Sequence, residues 1–215
     1  MRKEVDLMLF DFDGTLVDTA ADLACAVNHA LEKLNLPPKP EIQIIGYVGD
    51  GVRQLISRAI GEANADSIDT ALGHFTEYYG DHLLDKSTLY PHVKETLDYF
   101  SMKKKVILTN KRLRFTKIIA DALGITPYFD DMVGADSTPY RKPDPRIVDY
   151  VLLRHGAARD RTVIIGDGTN DVAVARNAGV SCAALLNGLG AREALLAMKP
   201  DFCCESLLEI QSIFY

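Results

Sequence analysis

The stretch LMLFDFDGTLVDT, residues 7–19, decides the fold. Its first four residues are apolar without alternation, the pattern of a strand buried on both faces in a parallel sheet. Two aspartates, Asp11 and Asp13, follow at once. Side chains at i and i+2 of an extended chain share a face, so these carboxylates repel one another unless a third group joins them. A divalent cation that prefers oxygen ligands, such as Mg²⁺, answers that need. Gly14 and Thr15 would equally suit a plain polar turn at a strand end.

Outward from this stretch, 215 residues suffice for one sizeable core plus a small second unit. Hydrophobic residues at 47% and charged residues at 25% describe a globular chain and not a disordered one. The net charge of −6, with no basic run longer than KKK at 103–105, speaks against nucleic acid or an anionic membrane as the main partner. No apolar run nears the ~18 residues that cross a bilayer. MRKEVDL at the start lacks a signal-peptide core, so a cytoplasmic location is expected. Cys25, Cys182, Cys203 and Cys204 have no CxxC spacing and read as buried small hydrophobes, without metal or disulfide.

Further apolar runs repeat the opening pattern: VDLMLFDF (5–12), KVILTN (105–110), DMVGA (131–135), TVIIGD (162–167), SCAALL (181–186) and DFCC (201–204). From residue 105 onward helical patterns separate them, except before DMVGA, which predicts an α/β fold with a doubly wound parallel sheet, a Rossmann-like core. About ninety residues lie between the first and second strands, far more than a simple crossover needs. Their apolar spacing is helical, with stops at PPKP and at Gly61, so an inserted helical cap is expected. The expected division is a core of residues 1–16 and 91–215 and a cap of residues 17–90.

Ligands of such sheets bind beyond the carboxyl ends of the strands, and four polar clusters fall there. Asp11 can attack an electrophilic phosphorus, and Asp13 can protonate the leaving oxygen and later deprotonate water. Gly14 lets the backbone turn tightly beside them. Thr109 and Asn110, in LTNKR, end a strand and open a helix, where a hydroxyl and free amides suit an anion; a simple N-cap has the same signature. Lys142, in YRKPDP, offers an ammonium held between prolines for neutralising phosphate charge, or is a solvated loop lysine. Asp167 and Asp171, one helical turn apart in GDGTND, complete an acidic nest, although Asp171 alone could compensate a helix N-terminus.

DFDGTLVDT, ILTN, KPDP and GDGTND, in that order across nearly the whole chain, resemble the haloacid dehalogenase superfamily of phosphotransferases. The resemblance implies Asp11 as nucleophile and Asp13 as general acid and base. It implies Mg²⁺ held by Asp11, the Asp13 backbone carbonyl and Asp167, with Asp171 behind them. Thr109 and Lys142 join the catalytic set, and the substrate-facing set is Gly14, Thr109, Asn110, Lys142 and Arg53. Asp13 points to phosphoryl chemistry, since the superfamily's dehalogenases lack that second aspartate. The phosphonate-cleaving branch needs a cap lysine, and none stands between Lys39 and Lys86.

YVGDGVRQLISRAI, 47–60, is similar to the cap loop of phosphoglycolate phosphatases, which makes Arg53 a candidate for a substrate carboxylate and 2-phosphoglycolate the leading small phosphorylated metabolite. A sugar-phosphate mutase of the β-phosphoglucomutase type is the alternative, followed by a non-enzymatic phospho-acceptor domain of the bacterial receiver kind. The oligomeric state stays open, and the apolar tail SLLEIQSIFY is expected to cover either the core or a neighbour.

Overall fold

Residues Leu7–Phe10 (β1) are buried throughout and run through the middle of a six-stranded sheet in the computed structural model, which describes residues 2–215. The later strands are β2 (Val17–Asp18), β3 (Thr88–Leu89), β4 (Lys104–Leu108), β5 (Asp131–Val133), β6 (Thr162–Gly166), β7 (Ser181–Leu185) and β8 (Phe202–Cys204). The main sheet has the order β5-β4-β1-β6-β7-β8, and every pairing in it is parallel. Leu9 lies between Val106 and Ile164 in register. Strands β4 and β5 build outward on one side of β1 and β6 to β8 on the other, so the winding reverses at β1. That reversal opens a crevice at the carboxyl ends.

The helices are α1 (Ala20–Lys33), α2 (Glu41–Ile45), α3 (Val52–Ile60), α4 (Ile68–Asp81), α5 (Val93–Tyr99), α6 (Leu113–Ala122), α7 (Arg146–His155), α8 (Thr169–Ala178), α9 (Arg192–Ala197) and α10 (Ile210–Ile213). Alternation along the strands divides the core into two layers. Leu7, Leu9, Val106 and Ile164 pack on the face covered by α7 and α8. Met8, Phe10, Ile107 and Ile165 face the other way, into a cluster that continues through Val27 of α1, Ile56 of α3 and Phe75 of α4.

Helices α1 to α4 pack on one another, and the chain enters and leaves them through the antiparallel pair β2–β3, with Val17 opposite Leu89. Buried Asp22 of α1 fastens the return, accepting from the Ser87 amide at 2.8 Å and the Ser87 hydroxyl at 2.6 Å.

Three details differ from the sequence reading or decide what it left open. The run 5–12 yields a strand of only Leu7–Phe10, because the amides of Leu16 and Val17 both fold back onto the Phe12 carbonyl and pull the chain out of the ladder. Cys182 and Cys204 are buried and Cys25 half-buried, but Cys203 is exposed: β8 is the edge strand, and adjacent residues there face opposite ways. The tail covers its own core, with Ile210 and Phe214 fully buried and the Tyr215 amide bonded to the Lys3 carbonyl at 3.1 Å. Among the described residues no helix is long and apolar enough to cross a membrane.

Candidate active site

The turn after β1 sends its two aspartates to different partners. Asp11 stays aligned with the sheet through its amide, which donates to Ile165 at 2.8 Å, and its carboxylate accepts from the Phe12 amide at 2.7 Å. Gly14 then takes φ +86°, and its amide closes the turn on Val17 at 2.9 Å. A side chain at this glycine would overlap the Asp167 carboxylate as well as strain the backbone. The turn thus separates the like charges that an extended strand would have crowded. Asp13 reaches Thr19 Oγ1 at 2.7 Å and Lys111 Nζ at 2.9 Å, away from Asp11's partners.

Asp11, Asp167 and Asp171 bring carboxylate oxygens within 4.8 Å of one another, at the ends of β1 and β6 and in the first turn of α8. Asp167 accepts from Thr15 Oγ1 at 2.7 Å and from the Leu189 and Gly190 amides at 2.8 and 3.1 Å. Asp171 accepts from the Gly168 amide at 3.0 Å. Glycine at 166 and at 188 is what lets these carboxylates sit so close to the chain, since a Cβ at either position would overlap them.

The cation inside this group is Lys142, with Nζ 2.6 Å from Asp171 and 2.9 Å from Asp11 and its side chain only 2% exposed. Burial pushes the Asp11 carboxyl up to about 7, helped by Asp171 and opposed by Lys142. Burial likewise raises Asp167 to about 6, with Asp11 adding to it. Asp171 is raised too, burial outweighing its bond to Lys142. Burial alone would lower the Lys142 ammonium, but Asp11 and Asp171 outweigh it and hold it above the usual lysine range.

Asp167 and Asp171 are buried and Asp11 largely so, one ammonium stands among the three carboxyls, and all the donors are hard oxygens. This set fits a small divalent cation held by Asp11 and Asp167, with Asp171 adjoining. The Asp13 carboxylate stands outside the group.

Thr109 and Asn110, both buried, follow β4 directly. Thr109 Oγ1 accepts from the Lys111 amide at 3.2 Å, which leaves its proton available. Asn110 Nδ2 donates to Gly49 and Lys142 carbonyls, each at 2.9 Å, so Asn110 joins the loop before α3 to the loop that carries Lys142. Asn170 grips the same loop through Asp50 Oδ1 at 2.6 Å.

Lys111 is the residue the sequence reading passed over. Its buried Nζ links Asp13 to the hydroxyl of Tyr79, 2.6 Å away on α4. Burial works to lower the Lys111 ammonium, but Asp13 and Tyr79 hold it above its ordinary range, while burial raises Tyr79 to about 12. The signal was present in LTNKR, where a lysine directly follows two residues at a buried strand end.

A cavity of about 70 Å³ joins these groups, with Asp11, Asp13, Thr109, Asn110 and Lys111 on one wall and Val48, Val52, Leu55, Phe75 and Tyr79 of the inserted helices on the other. Arg53 does not reach it. Val52 faces the cavity, and one residue further along α3 the helix has rotated by about 100°. The Arg53 side chain is therefore 54% exposed and pairs with Asp69 of α4 at 2.5 Å on the outer face. The expectation that Arg53 meets the substrate is thus not supported by its position.

Comparison with known proteins gives a consistent neighbourhood. Residues 8–185 match the model of the family described as haloacid dehalogenase-like hydrolase. The chain is 34% identical to a phosphoglycolate phosphatase of Vibrio parahaemolyticus, covering 99% of this chain and 97% of that one. It is also 34% identical to a phosphoglycolate phosphatase of Haemophilus influenzae, covering 99% and 100%. Among solved structures, one described as a predicted phosphoglycolate phosphatase from Haemophilus somnus superposes with a TM-score of 0.92 at 32% identity, over 97% of both chains.

Proposed function

The chain belongs to the haloacid dehalogenase-like hydrolases and is a phosphatase, and from that premise we propose that it hydrolyses a small phosphomonoester, 2-phosphoglycolate in the first place, through a phosphoaspartate on Asp11. The observation that carries this reading is the division of labour after β1. Asp11 faces Lys142 and the acidic group, Asp13 faces Thr19 and Lys111, and both border one cavity.

In the first half-reaction an Asp11 oxygen attacks phosphorus and the ester bond breaks. Asp13 serves as the general acid that passes a proton to the departing oxygen. In the second, Asp13 removes a proton from water as the water attacks the phosphoaspartate, which releases inorganic phosphate and restores Asp11. Lys142 and the Thr109 hydroxyl balance the charge on the phosphoryl oxygens. Lys111 holds Asp13 at the leaving-group side through its 2.9 Å contact. A Mg²⁺ ion held by Asp11, Asp167 and the Asp13 carbonyl, with Asp171 adjoining, would neutralise the nucleophile and the phosphoryl oxygens.

The helices of residues 17–90 act in this reading as a cap that excludes bulk water and limits the leaving group. The apolar side chains of Val48, Val52, Leu55 and Phe75 close in over Asp11 and Asp13, which favours a small leaving group. The test is phosphate release from 2-phosphoglycolate, sugar phosphates and nucleotides, with and without Mg²⁺, by wild type and Asp11→Asn. Mg²⁺-dependent release from the smallest ester, lost in Asp11→Asn, is expected. Retained metal-dependent turnover in pure Asp11→Asn would sink the nucleophile assignment.

A further inference from the structure

Two cations, Lys111 and Arg112, border the cavity beneath the inserted helices, and a third, Lys142, stands behind Asp11. Two of them are already neutralised. Lys142 is shared by Asp11 and Asp171, and Lys111 lies against Asp13. Arg112 differs: it is half-buried, yet among the described residues its guanidinium has no hydrogen bond and no ion pair, although the acids Asp69, Glu77 and Asp81 border the same open cleft. A guanidinium presents five donors in a rigid fork, so an uncommitted one at the edge of a cavity is ready to receive an anion.

Its place in the fold says what arrives. Arg112 borders both the cavity and the more open cleft beside it, so it stands where the two spaces meet. Its backbone is fixed, because its carbonyl accepts from the amides of Phe115 and Thr116, each at 3.1 Å, as α6 begins. The rest of the cavity beyond the catalytic groups is largely apolar, with Leu23, Val48, Val52, Leu55, Phe75 and Phe115 on its walls. Among the described residues, Arg112 is the one cation lining this cavity without an ion pair, while Arg114 borders the open cleft only.

We propose that Arg112 is the specificity-determining residue of this phosphatase, pairing with a carboxylate carried by a small leaving group. The proposal rests on the phosphatase reading above and assigns the carboxylate to Arg112 in place of Arg53, whose guanidinium is held by Asp69 on the outer face. Planar two-point pairing of guanidinium with carboxylate is the geometry that favours arginine over lysine for this task.

The experiment compares an ester whose leaving group carries a carboxylate, 2-phosphoglycolate, with one of similar size that does not, ethyl phosphate. In Arg112→Met the ratio of kcat/KM for the two is expected to fall about 10- to 100-fold, the loss carried by KM for 2-phosphoglycolate, with part of it regained in Arg112→Lys. Unchanged melting temperature checks that the variants fold, and Arg112→Gln serves if the methionine variant does not.

The same pair of compounds is then titrated by calorimetry into Asp11→Asn, with and without Arg112→Met, so that binding is read apart from turnover. Selective weakening of 2-phosphoglycolate supports the proposal. An equal loss for both esters, an unchanged ratio, or a selective loss appearing in Arg53→Ala instead would overturn it. If wild type hydrolyses neither ester, the phosphatase substrate reading fails by itself, and the calorimetric comparison still decides the role of Arg112.

Discussion

Lys142→Met tests the electrostatics of the acidic group most directly. The substitution keeps the length of the side chain and removes its charge, leaving Asp11 and Asp171 buried without the ammonium that now stands 2.9 and 2.6 Å away. Breaking a buried ion pair from one side costs about 3–5 kcal/mol, because the remaining charge is uncompensated. For a chain of this size each kcal/mol moves Tm by about 2–4 °C, so a drop of roughly 6–20 °C is expected at pH 8 without divalent metal.

The pH dependence gives the sharper check. Asp11 already has its folded-state pKa raised from the ordinary 3.8 to about 7, and Lys142 is among the groups opposing that rise. Without Lys142 the pKa moves further up. A carboxyl with a raised folded-state pKa stabilises the fold most below its unfolded pKa, and that stability is lost as pH rises through the folded value. The deficit of Lys142→Met relative to wild type should therefore be large at pH 8 and shrink toward pH 5, where the carboxyls take up protons. Thermal melts followed by circular dichroism in EDTA at both pH values measure it. A deficit that is equal at the two pH values, or larger in acid, would refute the reasoning, since the penalty would not then come from ionised carboxylates.

Two further substitutions probe the turn and the link between layers. Lys111→Met removes the partner of Asp13 and should lower kcat about 100-fold on esters with and without a carboxylate alike, the loss that a displacement of about 1 Å in a reacting group brings; steady-state kinetics on the two ester types checks it, and a loss confined to carboxylate-bearing esters would show that Lys111 binds substrate instead. Gly14→Ala introduces a Cβ at φ +86° against the Asp167 carboxylate, so phosphate release should vanish and Tm should fall by an amount matching about 1–3 kcal/mol; a fully active variant would mean the turn tolerates a shift of Asp167.

What could be read from the chain and what could not follow from how far each signal travels. The buried strands, the parallel sheet and the positions of Asp11, Thr109 and Asp167 at strand ends all rest on local patterns, because a strand that is apolar on both faces can hardly lie anywhere but inside a doubly covered sheet. Asp171 could be placed near Asp167 for the same reason, being one helical turn away.

Arg53 and Lys111 show where that reach ends. Arg53 was nominated from a loop similar to a known one, yet the rotation between adjacent residues of α3 sends Val52 inward and Arg53 to Asp69 on the outer face. Lys111 was passed over because its worth depends on Asp13, 98 residues earlier in the chain, and on Tyr79 from a different layer, and no periodicity in one segment encodes a contact made by three. The sheet therefore tells which residues stand at the rim, while the packing of α3 and α4 over that rim leaves Arg112 at the cavity without an ion pair among the described residues and gives Arg53 one. That difference separates Arg112 from Arg53, and only the folded arrangement shows it.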